Sequence, residues 1–308
     1  MEFTSQIGQD KWVCEALSYK RDGFFLDIGA NISLLIMDWV TGDKFKSLGD
    51  FTFSSHIRYR DDYDGLINTF NPDGVLDKCI IYTHTFYAKQ LFEQIKKIDK
   101  GVILVTHNSD LNVDDSFKIP DNIIKWFTQN VNYKDNKLES IPIGLENNRW
   151  FKGLRKKDKM LIKLSQPKHF KNWIYMNHNI DTNPDKRKEV YDLLRDKPWV
   201  TVERGYNGHG FDEYLNDVYN HNFVICPEGN GMDTHRTWET LYMGTIPIEK
   251  RNINNQFYTD LPICFVNDWE EVTLDFLERE YFRIKSTEWN MNKLTFDYWK
   301  IKILNERN

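Results

Sequence analysis

The sequence has 308 residues, 40% hydrophobic and 28% charged, with a formal net charge of −5 and an isoelectric point near 5.9. At roughly 150 residues per domain, that length points to about two domains with a sizeable core, and the composition excludes wholesale disorder. The negative balance excludes a chain built to hold nucleic acid, whose affinity rests on clustered Lys and Arg.

Four cysteines, Cys14, Cys79, Cys226 and Cys264, lie far apart without Cys-x-x-Cys or Cys/His ligand spacing, so neither a zinc site nor a disulfide framework is indicated. The start, MEFTSQIGQDKW, has no basic region leading into an apolar run. No stretch approaches about 18 uninterrupted apolar residues, and a cytoplasmic protein is expected. The aromatic share, 15%, suits core filling or the faces of sugar rings.

In chain order, QDKWVCEALSYK reads as a helix and FFLDIGA as a strand. From Cys79 strands and helices alternate: CIIYTH as strand, FYAKQLFEQIKKI as helix, GVILVTHNSD as strand, a helix near DNIIKWFTQN, then a strand-like LESIPIGL. Such alternation implies a parallel sheet with both faces covered. The polar, Lys-rich stretch 147–171 breaks the rhythm and is expected to be a linker. Its basic run KGLRKKDKMLIK reads as solvated chain, with contact to a phosphate or to an anionic membrane surface as the alternative. A second alternating series follows: NWIYMNHN, PDKRKEVYDLLRD, WVTVERG, FDEYLNDVYN, NFVICPEG, THRTWETLYM, TIPIEK and ICFVND. The tail from Trp269 is helical and aromatic and is expected to pack back across the first domain.

The most informative segment is CPEGNGMDTHRTWETLYMGTIPIEK. An apolar strand ends at Cys226-Pro227, opens into Glu228-Gly229-Asn230-Gly231, and meets a helix capped by Asp233 or Thr234. Glycines allow close backbone approach to a ligand, and a helix N-terminus directs N–H groups at an anion. Arg236 and Glu239, three apart, share one helix face. An Arg can grip a diphosphate and a Glu can accept from ribose hydroxyls; the plain alternative is a surface ion pair.

Upstream, Asn177, Asn179, Thr182 and Asn183 precede a helix opened by Pro184. Arg187 falls in its first turn, where the dipole disfavours a cation unless an anion compensates. An exposed Arg beside an Asx turn is the equal alternative. His107 and Asp110, after the strand ILVTH, sit where open α/β sheets place ligands. Either could serve as the base that deprotonates an acceptor hydroxyl, or Asp110 caps a turn over a packed His107. The acidic pairs Asp61-Asp62 and Asp114-Asp115 lack a metal-site context, and no metal is expected.

The segment 226–250 resembles the C-terminal motif of the exostosin-like glycosyltransferases and is similar to that of fucosyltransferase-like GT-B enzymes. The resemblance implies a GT-B fold, two Rossmann-like α/β domains with a cleft between them. It also implies transfer of a sugar from a UDP- or GDP-sugar to a glycan or glycolipid acceptor, without a resident cofactor, in surface-polysaccharide or glycoconjugate synthesis. By it Arg236 would meet the donor pyrophosphate and Glu239 the ribose. Asn177, Asn179, Thr182, Arg187, Glu228, Gly229, Asn230, Gly231 and Thr234 would complete the donor site. His107 to Asp110, with KWFTQNVNY and IPIGLENNRW, resembles the acceptor side, placing Glu146 and Asn147 at the cleft.

The N-terminal SQIGQDKWVCEALSYKRDGFFLDIGAN instead resembles the opening of FkbM-type methyltransferases, implying S-adenosylmethionine binding through Asp27 and Gly29. Asn31 is then followed by Ile-Ser-Leu-Leu, where that family continues with Asp-Gly. The expected division is therefore an N-terminal extension (1–50), an acceptor-side domain (51–155), a donor domain (156–275) and returning helices (276–308). An S-adenosylmethionine-dependent methyltransferase and a non-catalytic carbohydrate-binding protein are the alternatives.

Overall fold

The computed structural model describes residues 38–55, 66–147, 151–203 and 210–308. The FkbM-like segment, with Cys14, Asp27, Gly29 and Asn31, lies outside the described residues, as do His56, Asp61, Asp62 and His209.

Five parallel strands form the first sheet in simple sequence order: β1 (Phe51–Phe53), β2 (Cys79–His84), β3 (Val102–His107), β4 (Ile123–Thr128) and β5 (Leu138–Ser140). Every residue of β2 and β3 is buried, as a parallel strand covered on both faces requires. Helix α1 (Gly42–Lys46) packs against β3, and α2 (Ala88–Ile95) buries Leu91, Phe92 and Ile95.

The segment DNIIKWFTQN, expected as a helix, forms β4. Its Ile-Ile-Lys-Trp-Phe-Thr run is rich in residues that fit a pleated surface, and Ile123, Trp126 and Phe127 are fully buried in it. The expected linker is also corrected: α3 (Phe151–Leu164) occupies it, with Met160 and Leu164 buried.

The second sheet runs β10 (Cys264–Val266), β9 (Ile246–Lys250), β8 (Phe223–Ile225), β6 (Ile174–Met176), β7 (Val200–Val202), again wholly parallel. Its helices are α4 (Pro184–Leu194), α5 (Phe211–Asn220) and α6 (His235–Tyr242). The lysines of α3 lace it to α5: Lys159 pairs with Asp212 at 2.6 Å and Lys163 Nζ donates to Asn216 Oδ1 at 2.7 Å. In chain order the sheet is the 2-1-3-4-5 doubly wound arrangement. Its switch point lies between β6 and β8, where connections leave in opposite directions and open a crevice at the strands' carboxyl ends. The two sheets make the α/β, two-unit GT-B architecture expected from the sequence.

The tail divides. Helix α7 (Leu274–Lys285) buries Leu277 and Ile284 in the second unit's core. Helix α8 (Phe296–Asn305) packs on the first unit, with Phe296 edge-on to Phe45 at 5.3 Å and Arg307, just beyond it, paired to Asp50 at 2.6 Å. Residues 38–50, expected within an N-terminal extension, thus belong to the first unit.

A buried polar seam joins the units. Asn254 Oδ1 accepts from the Val131 N–H (2.9 Å) and the Ser140 hydroxyl (2.8 Å), and Asp233 Oδ2 accepts from the Ile143 N–H (2.7 Å). In return the Asp233 N–H donates to Asn130 Oδ1 at 2.9 Å. Asn254 is 2% exposed, so Asn254→Ala leaves the buried Val131 N–H unpaired, while the Ser140 hydroxyl keeps the Tyr258 hydroxyl at 2.8 Å. A loss of about 1–3 kcal/mol is expected, to be read from the denaturant midpoint at unchanged m-value.

Candidate functional site

The crevice at the switch point is built from the residues that follow β6 and β8. Arg187, on α4, is 8% exposed. Its Nε donates to the Glu228 carbonyl and its Nη1 to the Asn179 carbonyl, both at 2.8 Å. The guanidinium therefore stitches the two strand-end loops together, and burial with the nearby Arg236 charge pushes its pKa down to about 10. Arg236, the second residue of α6, donates through Nη1 to Asn177 Oδ1 and lies over the Tyr214 ring at 5.7 Å. Asn177 is fixed in turn: its Nδ2 donates to the Tyr175 hydroxyl (2.8 Å), which donates to Glu203 Oε2 (2.9 Å).

Among the described residues, neither Arg187 nor Arg236 forms an ion pair; their hydrogen bonds go to carbonyl and amide oxygens. Arg187 carries the cost of burial and of the Arg236 charge, whereas Arg236 stays charged despite its burial, with the field of Glu239 among the causes; an anion bound between the loops would relieve the cost at Arg187.

Glu239 is not on the surface, as the ion-pair alternative would have it. It is 6% exposed, accepts from the Tyr214 hydroxyl at 2.8 Å, and faces Lys156 Nζ at 3.5 Å. Lys156 also pairs with Glu146 of the first unit at 2.9 Å. The i,i+3 spacing does put Glu239 near Arg236, but on the side of α6 that packs against α5, with Tyr214 touching both.

The Glu228 to Gly231 loop is tight, the Gly229 N–H donating to the Gly231 carbonyl at 2.9 Å. Its glycines make room for protein side chains: a Cβ at Gly229 would come within 3.0 Å of Arg187 Nη2, and one at Gly231 within 2.7 Å of Asn130 Nδ2. The Glu228 carboxylate accepts from Asn252 Nδ2 at 2.8 Å. Thr234 holds the N-cap position without a capping bond. Asp233 instead accepts from the Trp238 indole N–H at 2.8 Å, and burial pushes its carboxyl up to about 7. Thr182 is exposed on the turn after Asn179, whose Oδ1 accepts from the Asp181 N–H at 3.1 Å.

A cavity of 790 Å³ opens between the carboxyl ends of the first sheet and the start of α6, lined by His107, Asn108, Asp110, Glu146 and Asn147 on one side and Asn230 and His235 on the other. Asp110 is exposed at its rim, Oδ2 accepting from Asn230 Nδ2 at 3.4 Å. His107 does not suit the base expected of it. It is 1% exposed, stacks on Phe45, and its ring nitrogens face the Pro142 carbonyl (3.1 Å) and Asn108 Oδ1 (3.0 Å); burial pushes its pKa down to about 4. Asn108 and Asn130 hold left-handed φ of 56° and 54° at the ends of β3 and β4, a conformation costing roughly 1–2 kcal/mol and concentrated at functional sites.

Sequence reasoning passed over Asn130, Lys156, Tyr214 and His235. The last donates through Nδ1 to the Gly144 carbonyl at 2.7 Å. No described cluster of three or more His, Cys, Asp or Glu could hold a metal ion, and no described helix is long and apolar enough to cross a membrane. Cys79, Cys226 and Cys264 are buried free thiols.

No protein-family model and no curated protein matches the sequence. Among solved structures the chain is similar to the UDP-GlcNAc 2-epimerase of Methanocaldococcus jannaschii, at 10% identity over 73% of this chain and 76% of that one, TM-score 0.35. It is also similar to the T4 phage β-glucosyltransferase, at 12% identity over 84% and 95%, TM-score 0.31. A further match is a DNA-modifying β-glucosyltransferase, at 11% over 91% and 92%, TM-score 0.31. These superpositions are loose, and the chemistry of the site rests on its own residues.

Beneath the crevice, His178 donates through Nε2 to the Arg187 carbonyl at 3.0 Å, and burial pushes its pKa down to about 4. A base whose folded pKa is lowered takes up protons first in the unfolded chain, so its contribution to stability is lost as pH falls from about 6.5 towards 4. His178→Gln keeps a donor for that carbonyl and removes the titration. The fall in unfolding free energy between pH 7 and 4.5 is expected to shrink by about 2 kcal/mol, measured by denaturation at both values.

Proposed function

We propose that the chain is a glycosyltransferase of exostosin-like type. It would hold the diphosphate of a UDP- or GDP-sugar at the switch point, on Arg236 and Arg187, and pass the sugar to a hydroxyl of a glycan or glycolipid in the adjoining cleft. The observation that carries this reading is the pair of desolvated guanidiniums without a carboxylate partner, set at the crevice where doubly wound sheets take their ligands. Arg is suited to the role because its planar fork matches phosphate oxygens and keeps its charge when buried.

Departure of a nucleoside diphosphate builds negative charge on the leaving oxygen. Fixed cations and the N–H groups opening α6 would stabilise that charge without reorganising. The Asn177 relay to Tyr175 and Glu203 holds Arg236 in place before any ligand arrives. Asp110 and Asn230 meet at the rim of the cleft, where an acceptor would enter.

A thermal-shift screen against UDP, GDP, CMP, their sugar conjugates and S-adenosylmethionine tests the reading, since a ligand that binds only the native state raises its melting temperature. One nucleoside diphosphate is expected to stabilise the chain; stabilisation by S-adenosylmethionine alone would overturn the proposal. Arg236→Ala is expected to weaken binding of that nucleotide by about 10- to 100-fold, the worth of a charge-assisted hydrogen bond or two, with an unchanged far-ultraviolet spectrum. Calorimetric titration of the variant provides the number, and unchanged affinity would count against the site.

A further inference from the structure

We propose that His235 is the general base of the transfer, an assignment that rests on the glycosyltransferase reading above. His235 opens α6, one residue ahead of Arg236, and its ring lines the 790 Å³ cleft. Its Nδ1 lies 2.7 Å from the Gly144 carbonyl. A carbonyl only accepts, so Nδ1 carries a proton, and in the neutral ring Nε2 holds the lone pair. Among the described residues Nε2 has no hydrogen-bond partner.

The backbone that presents this carbonyl is built for it. Gly144 has φ of +63°, and a Cβ there would stand 2.3 Å from the Val40 carbonyl oxygen. Only glycine fits that conformation and that space, so the tautomer of a histidine in the second unit is set by a glycine of the first.

The other candidates around the cleft are engaged. His107 has an oxygen on each ring nitrogen, Glu146 is paired with Lys156 at 2.9 Å, and Asp110 stands at the exposed rim beside Asn230. Successive residues of a helix point about 100° apart, so His235 can face the cleft while Arg236 faces the crevice. A donor whose diphosphate lies on Arg236 would bring its anomeric carbon between the two. The step is a single displacement: the acceptor oxygen bonds to the anomeric carbon as the bond from that carbon to the phosphate oxygen breaks. The electron pair leaves on the diphosphate, the acceptor proton passes to Nε2, and the anomeric configuration inverts.

The test is His235→Asn. Asn Nδ2 can take the place of His Nδ1 and keep the bond to Gly144, while nothing replaces Nε2. The full chain and the variant are assayed for release of diphosphate from UDP-glucose, UDP-GlcNAc, GDP-mannose and GDP-fucose, with water as acceptor, and UDP and GDP affinities are measured by calorimetry. Loss of a general base is expected to slow turnover by about 100-fold or more, with nucleotide Kd within about twofold of wild type, and NMR of the fresh product should show inversion. A variant that keeps more than about a tenth of wild-type turnover, a Kd that weakens in step with turnover, or a product of retained configuration overturns the assignment while leaving the glycosyltransferase reading in place. If the unaltered chain binds no nucleotide and turns over no donor, that reading falls and this one with it.

Discussion

Two peptide N–H groups of the first unit, the buried one of Val131 and the half-buried one of Ile143, find their acceptors in the second, on Asn254 and Asp233. A buried backbone donor without a partner costs as much as a lost hydrogen bond and often more, so neither unit is complete alone. The same constraint places the functional groups. Asp233 is pinned by Ile143 and Asn130, Thr234 follows it as the N-cap of α6, and the first two residues of that helix are His235 and Arg236. The switch-point crevice and the cleft are thus held in register by hydrogen bonds within the protein itself.

Within this frame the charges are arranged as the proposed diphosphate site requires. Arg187 and Arg236 are held by neutral oxygens, while the nearby carboxylates look elsewhere: Glu239 towards Tyr214 and Lys156, Glu228 towards Asn252, Glu249 towards Thr237 and Asn255. An acid placed against either guanidinium would quench the site, since a desolvated ion pair satisfies itself.

Much of the fold was legible, because apolar strands alternating with amphipathic helices leave few architectures. The failures have physical causes. IIKWFT lacks the period that separates a covered strand from a buried helix turn, and the lysines of 152–163 disguised a helix whose buried side is carried by Met160 and Leu164. At the site, Arg187 announced itself by standing at the wrong end of a helix dipole, although its partners are the carbonyls of Asn179 and Glu228. Glu239 was found by spacing, but its burial was not, because spacing does not say which side of a helix is packed. His235 carried no local signal at all. What distinguishes it is a carbonyl from the other unit, and a contact between residues 91 positions apart leaves no pattern in the sequence.

Helix α8 covers the first sheet but is separated from it in the chain by the whole second unit. The neighbouring strands β1 to β5 can pair as they emerge from a ribosome, since each contacts the next. Phe45 must nevertheless wait for Phe296, and Asp50 for Arg307. During synthesis the first sheet therefore stands without α8 until the whole second unit has been made. In that interval a chaperone, or misassembly with another nascent chain, would compete for the surface that α8 finally closes.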